Sequence, residues 1–147
     1  LAALADYHGV PLPYMAKQMQ LLSKAGIVRT SRGQTGGYAL AKASQDISLW
    51  DIKQAVDGSA PAFRCTEIRQ QGPCAIPRAE CRAPCAIAAA FGRAETAYRD
   101  LLRDIRLSDI LSEVTGEGNA QHMLDMLRWY EANVTMLPEK NAKAPAS

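Results

Sequence analysis

Four cysteines, Cys65, Cys74, Cys81 and Cys85, fall within 21 residues of a 147-residue chain. Thiolates ligate iron–sulfur clusters and zinc, and accessible pairs oxidise reversibly to disulfides. The spacings are nine, seven and four residues, so no CxxC pair occurs and the zinc-ribbon pattern is missing. Cys85 stands where a regular helical pattern begins, and a helix amino terminus favours a thiolate through its dipole. On spacing, ligation of a metal or cluster by Cys65, Cys74, Cys81 and Cys85 is the favoured reading. A thiol switch and incidental cysteines remain open beside it. His8 and His122 have no ligand types near them in sequence and read as surface residues. No Ser-His-Asp arrangement is visible, and Gly33–Gly37 lack the Lys and following helix of a phosphate loop, so an enzyme is not expected.

The elements that must hold these thiols belong to a soluble globular domain. Hydrophobic residues make up 48% and charged residues 22%, which fits neither a disordered tail nor a membrane protein. No apolar run approaches the length of a membrane span, and Leu1–Asp6 carries an acid and no basic leader. The expected compartment is the cytoplasm, where reduced thiols make ligation or sensing more natural than structural disulfides. The net charge of +2 conceals an asymmetry: the first 42 residues hold Lys17, Lys24, Arg29, Arg32 and Lys42 against the single acid Asp6. A basic amino-terminal third suggests a surface for a polyanion.

Leu1, Leu4 and Ala5 predict a short helix stopped by Gly9, and Leu12, Met15, Met19 and Leu22 a second one from Pro11 to Gly26. Two short helices joined by a glycine turn make a helix-turn-helix. Residues 27–30 and 38–41 are strand-like around Ser31–Gly37, a glycine-rich hairpin tip, which gives a wing. Tyr14, Lys17 and Gln20 on the second helix, with Arg29, Arg32, Gln34 and Thr35 on the wing, are the candidate contacts to double-stranded DNA. Ser48 and Asp51 have capping-box spacing ahead of a third helix closed by Gly58. The fold class is therefore mainly α with a small β-hairpin wing: a winged helix-turn-helix over residues 1–58. Residues 59–84 form an irregular cysteine-bearing loop.

From Cys85, the apolar residues Ile87, Phe91, Ala94, Tyr98, Leu101 and Ile105 alternate steps of four and three. This narrow seam on a long helix calls for a partner helix, and a homodimer matches a palindromic operator. Residues 85–114 are thus assigned to the dimerisation helix and a short capped turn, Leu107–Leu111. Residues 115–147 are assigned to a linker, Thr115–Asn119, and an extra carboxy-terminal helix through Met123, Leu127, Tyr130, Val134 and Leu137. A winged-helix module binding another protein through the heptad helix is the alternative from a different class.

Several stretches together resemble the Rrf2 family of bacterial winged-helix regulators, which includes IscR-, NsrR- and RsrR-like proteins. They are Tyr14–Met15 through Lys24–Val28, Arg32–Tyr38, Ile47–Asp51 through Ala55–Gly58, and Leu107–Leu111. The loop is most similar to the RsrR-like redox-sensing branch, through Ala62–Gln70 and Cys81–Cys85. The resemblance implies a dimeric DNA-binding transcription regulator that senses redox state, nitric oxide or iron through a cluster, a two-iron 2Fe-2S centre favoured over 4Fe-4S. In the RsrR-like branch, Cys65 and Cys85 match the cluster ligands, with non-cysteine side chains of a first helix completing the set. The three-cysteine branch points instead to Cys74, Cys81 and Cys85. The family begins with a helix ahead of the helix-turn-helix, so this sequence reads as starting inside the motif. Ala16 and Lys17 stand where many members carry Glu and Gln, which bears on the operator sequence. A cluster-free thiol and disulfide sensor is the rival within regulation.

Overall fold

The computed structural model describes residues 1–31, 37–117 and 120–133. Helices α1 (Ala2–Tyr7) and α2 (Leu12–Lys24) form the helix-turn-helix. Both leave through a glycine in the left-handed region, Gly9 at φ +62° and Gly26 at φ +69°, conformations that a Cβ would disfavour. The exits are of the same kind. Val10 N–H donates to the Ala5 carbonyl and Ile27 N–H to the Leu22 carbonyl, both at 3.0 Å, closing the last turn of each helix. Pro11 caps α2 and Pro13 lies in its first turn, where a missing N–H leaves no hydrogen bond broken.

Strands β1 (Val28–Ser31) and β2 (Gly37–Leu40) pair antiparallel, Val28 opposite Leu40 and Ser31 opposite Gly37. Each lies one residue from its expected position. Ile27 N–H is committed to capping α2, so regular pairing starts at Val28, although Ile27 still accepts from Ala41 N–H at 2.9 Å. Met19, Ile27, Val28 and Ile47 form the core, with Leu4, Met15, Leu22, Tyr38, Ile52, Ala55 and Leu107 packed around it.

Helix α3 (Leu49–Asp57) starts from the expected capping box. The Ser48 hydroxyl accepts from Asp51 N–H at 3.1 Å, and the Asp51 carboxylate accepts from Ser48 N–H at 2.9 Å. Residues 59–84 have no regular helix or strand beyond single helical turns at Ile68–Gln70 and Arg78–Glu80. The long helix α4 (Ala86–Asp104) follows. A two-stranded bridge between Ser48 and Arg106 fastens its far end to the winged domain: Leu49 N–H donates to Ile105 O at 3.0 Å and Leu107 N–H to Ile47 O at 2.8 Å.

Two expectations for the carboxy-terminal part are corrected. Leu107–Leu111 is no short turn but opens α5 (Leu107–Glu117), and Thr115–Glu117, read as linker, continue that helix. The Thr115 hydroxyl is satisfied within the helix, donating to the Leu111 carbonyl four residues back at 2.8 Å. Helix α6 (Ala120–Asn133) lays Trp129 and Tyr130 on Tyr7 of α1, with ring centroids 5.0 and 4.9 Å away. Val134 and Leu137, expected on the same helix, lie outside the described residues.

Candidate functional site

The nucleic-acid face is built on α2. Met15, Met19 and Leu22 turn toward the core while Tyr14, Lys17 and Gln20 are exposed, Tyr14 at 54%. An amphipathic helix anchored along one side offers its other side to a groove. Arg29 is exposed on β1, where its Nε donates to the Leu40 carbonyl across the hairpin at 3.3 Å. This ties the guanidinium to the wing. Arg32, Gln34 and Thr35 lie outside the described residues.

The cysteine loop brings together two of its four thiols. Cys85 is the N-cap of α4, 8% exposed, and its sulfur accepts from Ala88 N–H at 3.3 Å. Cys65 Sγ lies 3.9 Å from Cys85 Sγ and accepts from Glu67 N–H at 3.3 Å. Cys74 is exposed and Cys81 half-buried. All four are free thiols.

Arg69 and Glu67 hold the loop's path, and neither was singled out from the sequence. Arg69 grips the Glu67 carboxylate through both Nε and Nη2, the latter at 2.9 Å, and Nη2 also donates to the Ala83 carbonyl at 2.9 Å. The Arg69 carbonyl accepts from Ile76 N–H at 2.7 Å. Glu67 has φ +53°, the only non-glycine positive φ among the described residues. That conformation costs roughly 1–2 kcal/mol and persists only where the surroundings impose it. The hydrogen bond from Arg69 holds the Glu67 carboxyl below its ordinary pKa. Glu67 in turn raises the pKa of the guanidinium, and Cys81 and Cys85 would add to this only in their charged thiolate form.

Upstream of Cys65, Phe63 stacks on Phe91 of α4, with centroids 4.4 Å apart and planes 7° from parallel. Phe91 was expected in the dimer seam. It remains 52% exposed, but one of its faces serves the loop. Ile87, Tyr98 and Leu101 are exposed along α4, Leu101 at 60%, and Ala94 is exposed with them. Ile105 differs: it caps α4, is half-buried and bonds its own winged domain through Leu49.

The far half of α4 rests on α3 through Trp50, which is 4% exposed. Arg99 Cζ lies 5.1 Å and Arg103 Cζ 6.0 Å from the indole centroid, with Lys53 Nζ at 5.4 Å. The loop end of α4 is thereby mechanically continuous with the domain that carries α2. The sequence carried no signal for this contact; only the packing pairs these residues.

Two thiolates bound to one tetrahedral metal at roughly 2.3 Å stand about 3.8 Å apart. The Cys65–Cys85 separation fits that span, so the pair suits half of a tetrahedral site. Among the described residues no third Cys, His, Asp or Glu joins them in a group able to hold a metal. Among the described residues, Cys74 and Cys81 do not join Cys65 and Cys85 in such a group. No helix among the described residues is long and apolar enough to cross a membrane.

Comparison with known proteins agrees with the architecture. A family described as Rrf2, iron-dependent transcriptional regulator, matches residues 1–113. An HTH-type transcriptional regulator, rrf2-like, from Rhodobacter capsulatus is 30% identical over 109 residues, 74% of this chain and 71% of its own. The HTH-type transcriptional regulator IscR of Escherichia coli is 37% identical over 65 residues, 44% of this chain and 40% of its own. Among solved structures, T. potens IscR is similar at TM-score 0.58 and 25% identity, covering 84% of this chain and 76% of its own. CymR, the global cysteine regulator of B. subtilis, shares the fold at TM-score 0.55 and 22% identity, with 76% of each chain covered.

Proposed function

The chain belongs to the Rrf2 family of winged-helix transcriptional regulators, which are not enzymes, and on that premise we propose that it is a cytoplasmic homodimer whose affinity for a palindromic operator follows the state of an iron–sulfur cluster. Cys65 and Cys85 would supply two of its ligands. The observation that carries this reading is the 3.9 Å approach of these two sulfurs at the cap of the helix that is fastened to the DNA-binding domain. A bound cluster, of the 2Fe-2S type in this reading, would supply one-electron redox chemistry and reactivity toward oxidants or nitric oxide. The protein's part is positional. The Cys85 cap holds one sulfur at the dipole of α4, where negative charge is favoured. A change of charge or ligation there shifts α4, and Trp50 with the Ser48–Arg106 bridge passes the shift to α3 and the helix-turn-helix. Exposed Ile87, Tyr98 and Leu101 would meet a second copy, so that the spacing of two α2 helices, and hence operator affinity, changes. Such coupling is typically worth 1–3 kcal/mol.

The test is anaerobic purification followed by iron and sulfide assay, visible spectroscopy before and after reduction, and operator titration in each state. Stoichiometric iron and sulfide, with affinity changing between states, is the expected result. Colourless protein would overturn the cluster.

A second reading is favoured by the same contact: a thiol sensor in which Cys65 and Cys85 form a disulfide. Two thiols would then pass two electrons and two protons to an oxidant such as a peroxide or another disulfide. Mass spectrometry of oxidised protein would show the Cys65–Cys85 bridge without iron. A protein-interaction module would show no salt-dependent duplex binding in the same titration.

A further inference from the structure

We propose that the Glu67–Arg69–Ala83 clasp is the positioning device that holds Cys65 against Cys85. The inference rests on the reading of these two thiols as the sensing pair and names the residues that set their separation. Cys65 and Cys85 are joined by a segment that forms no regular helix or strand beyond two single turns. A flexible segment of that length would leave two sulfurs at an effective concentration in the millimolar range. Contact at 3.9 Å requires something that closes the loop.

Arg69 bonds three separated stretches. Its side chain takes Glu67, two residues from Cys65, and the carbonyl of Ala83, two residues before Cys85. Its backbone carbonyl takes Ile76 N–H. The guanidinium therefore spans the two arms of the loop, bonded to residues two positions from each of the two cysteines. The left-handed backbone of Glu67 agrees with this geometry, because it turns the carboxylate toward Arg69 while Glu67 N–H stays on Cys65 Sγ. Gln71 Nε2 adds a bond to the Thr66 carbonyl at 2.9 Å on the same arm. A lysine would keep the charge at position 69 but cannot present a planar fork to a carboxylate and a carbonyl together.

The test measures how strongly the fold drives the two thiols together. It uses the full chain carrying Cys74→Ser and Cys81→Ser, so that only the Cys65–Cys85 bridge can form. The reduced protein is equilibrated with glutathione buffers: one glutathione disulfide is reduced to two glutathiones as two protein thiols become one disulfide. The equilibrium constant, in molar units, is the effective concentration of the pair. Arg69→Ala and Glu67→Ala should each lower it about tenfold, toward the flexible-loop range. Arg69→Lys should fall between them and the parent. Helical circular dichroism and the urea midpoint should not change.

An unchanged equilibrium constant in Arg69→Ala and Glu67→Ala overturns the proposal. So does a parent protein that forms no bridge, since its sulfurs are then not held together. A loss accompanied by equal loss of helicity in both variants also overturns it, because the residues then support the whole fold and not the pair. The measurement needs neither iron nor DNA, so it returns an answer even where cluster assay and operator titration have ended the sensing reading.

Discussion

Arg99 of α4 lies over the indole of Trp50 in α3, its guanidinium carbon 5.1 Å from the ring centroid, and its buried Nε has no hydrogen-bond partner among the described residues. The contact joins the cysteine-bearing half of the molecule to the helix-turn-helix half. Cation–π contacts of this kind contribute about 0.5–2 kcal/mol. In Arg99→Ala with Arg103→Ala, a stability loss of that size is expected together with an operator affinity that no longer responds to oxidation. Fluorescence anisotropy of labelled operator with reduced and oxidised protein measures the second effect; a retained response would show that the signal passes elsewhere.

Replacing Cys65 or Cys85 with Ala should abolish visible absorbance and bound iron after anaerobic purification, whereas Cys74→Ala should retain both. Cys74 is exposed and takes no part in the close approach of Cys65 and Cys85. Iron assays on the three variants decide the matter. Loss of iron in Cys74→Ala would move the ligand set to the three-cysteine alternative.

Tyr14, Lys17 and Gln20 are exposed on α2, so their replacement by Ala should leave the unfolding free energy within about 0.5 kcal/mol of the parent. Operator binding should weaken in each. For Lys17→Ala the slope of log affinity against log salt should fall by about 1, the signature of one lost phosphate contact. Titrations at several salt concentrations check it.

The capping box at α3 makes stability depend on pH. The Ser48 backbone N–H, followed by its hydroxyl, holds the Asp51 carboxyl below its ordinary value of 3.8. A lowered folded pKa means that ionised Asp51 stabilises the native state at neutral pH. That contribution declines as pH falls below the unfolded value and is lost once pH has passed through the lowered folded value. Asp51→Asn should therefore destabilise at pH 7 and converge with the parent in acid. Ser48→Ala should cost about 0.5–2 kcal/mol, as caps do. Urea unfolding at a series of pH values reads both.

Leu101 is 60% exposed on the long helix. Leu101→Glu should leave the helical content intact while converting a dimer to monomer in light scattering. An unchanged mass would remove this face from the interface.

The amino-acid order by itself determined the parts of the molecule whose causes are local. The glycine exits at Gly9 and Gly26, the Ser48–Asp51 capping box, the hairpin and the start of α4 at Cys85 each depend on residues within about one helical turn or one tight turn. That was enough for the winged helix-turn-helix, with α2 as the helix that offers Tyr14, Lys17 and Gln20. The end of α5 was misread because Thr115 and Gly116 look like a linker until the threonine hydroxyl is seen bonded to the preceding turn. The resemblance named Cys65 with Cys85 beside the alternative of Cys74, Cys81 and Cys85, and the tertiary structure brings the first pair together. The segment between Cys65 and Cys85 has no hydrophobic period to define its path, so the pairing depends on contacts between residues distant in sequence: Phe63 with Phe91, and Arg69 with Ala83. It likewise divided the heptad, leaving Leu101 open and assigning Ile105 to its own domain, because a helical period specifies a face but not what covers it.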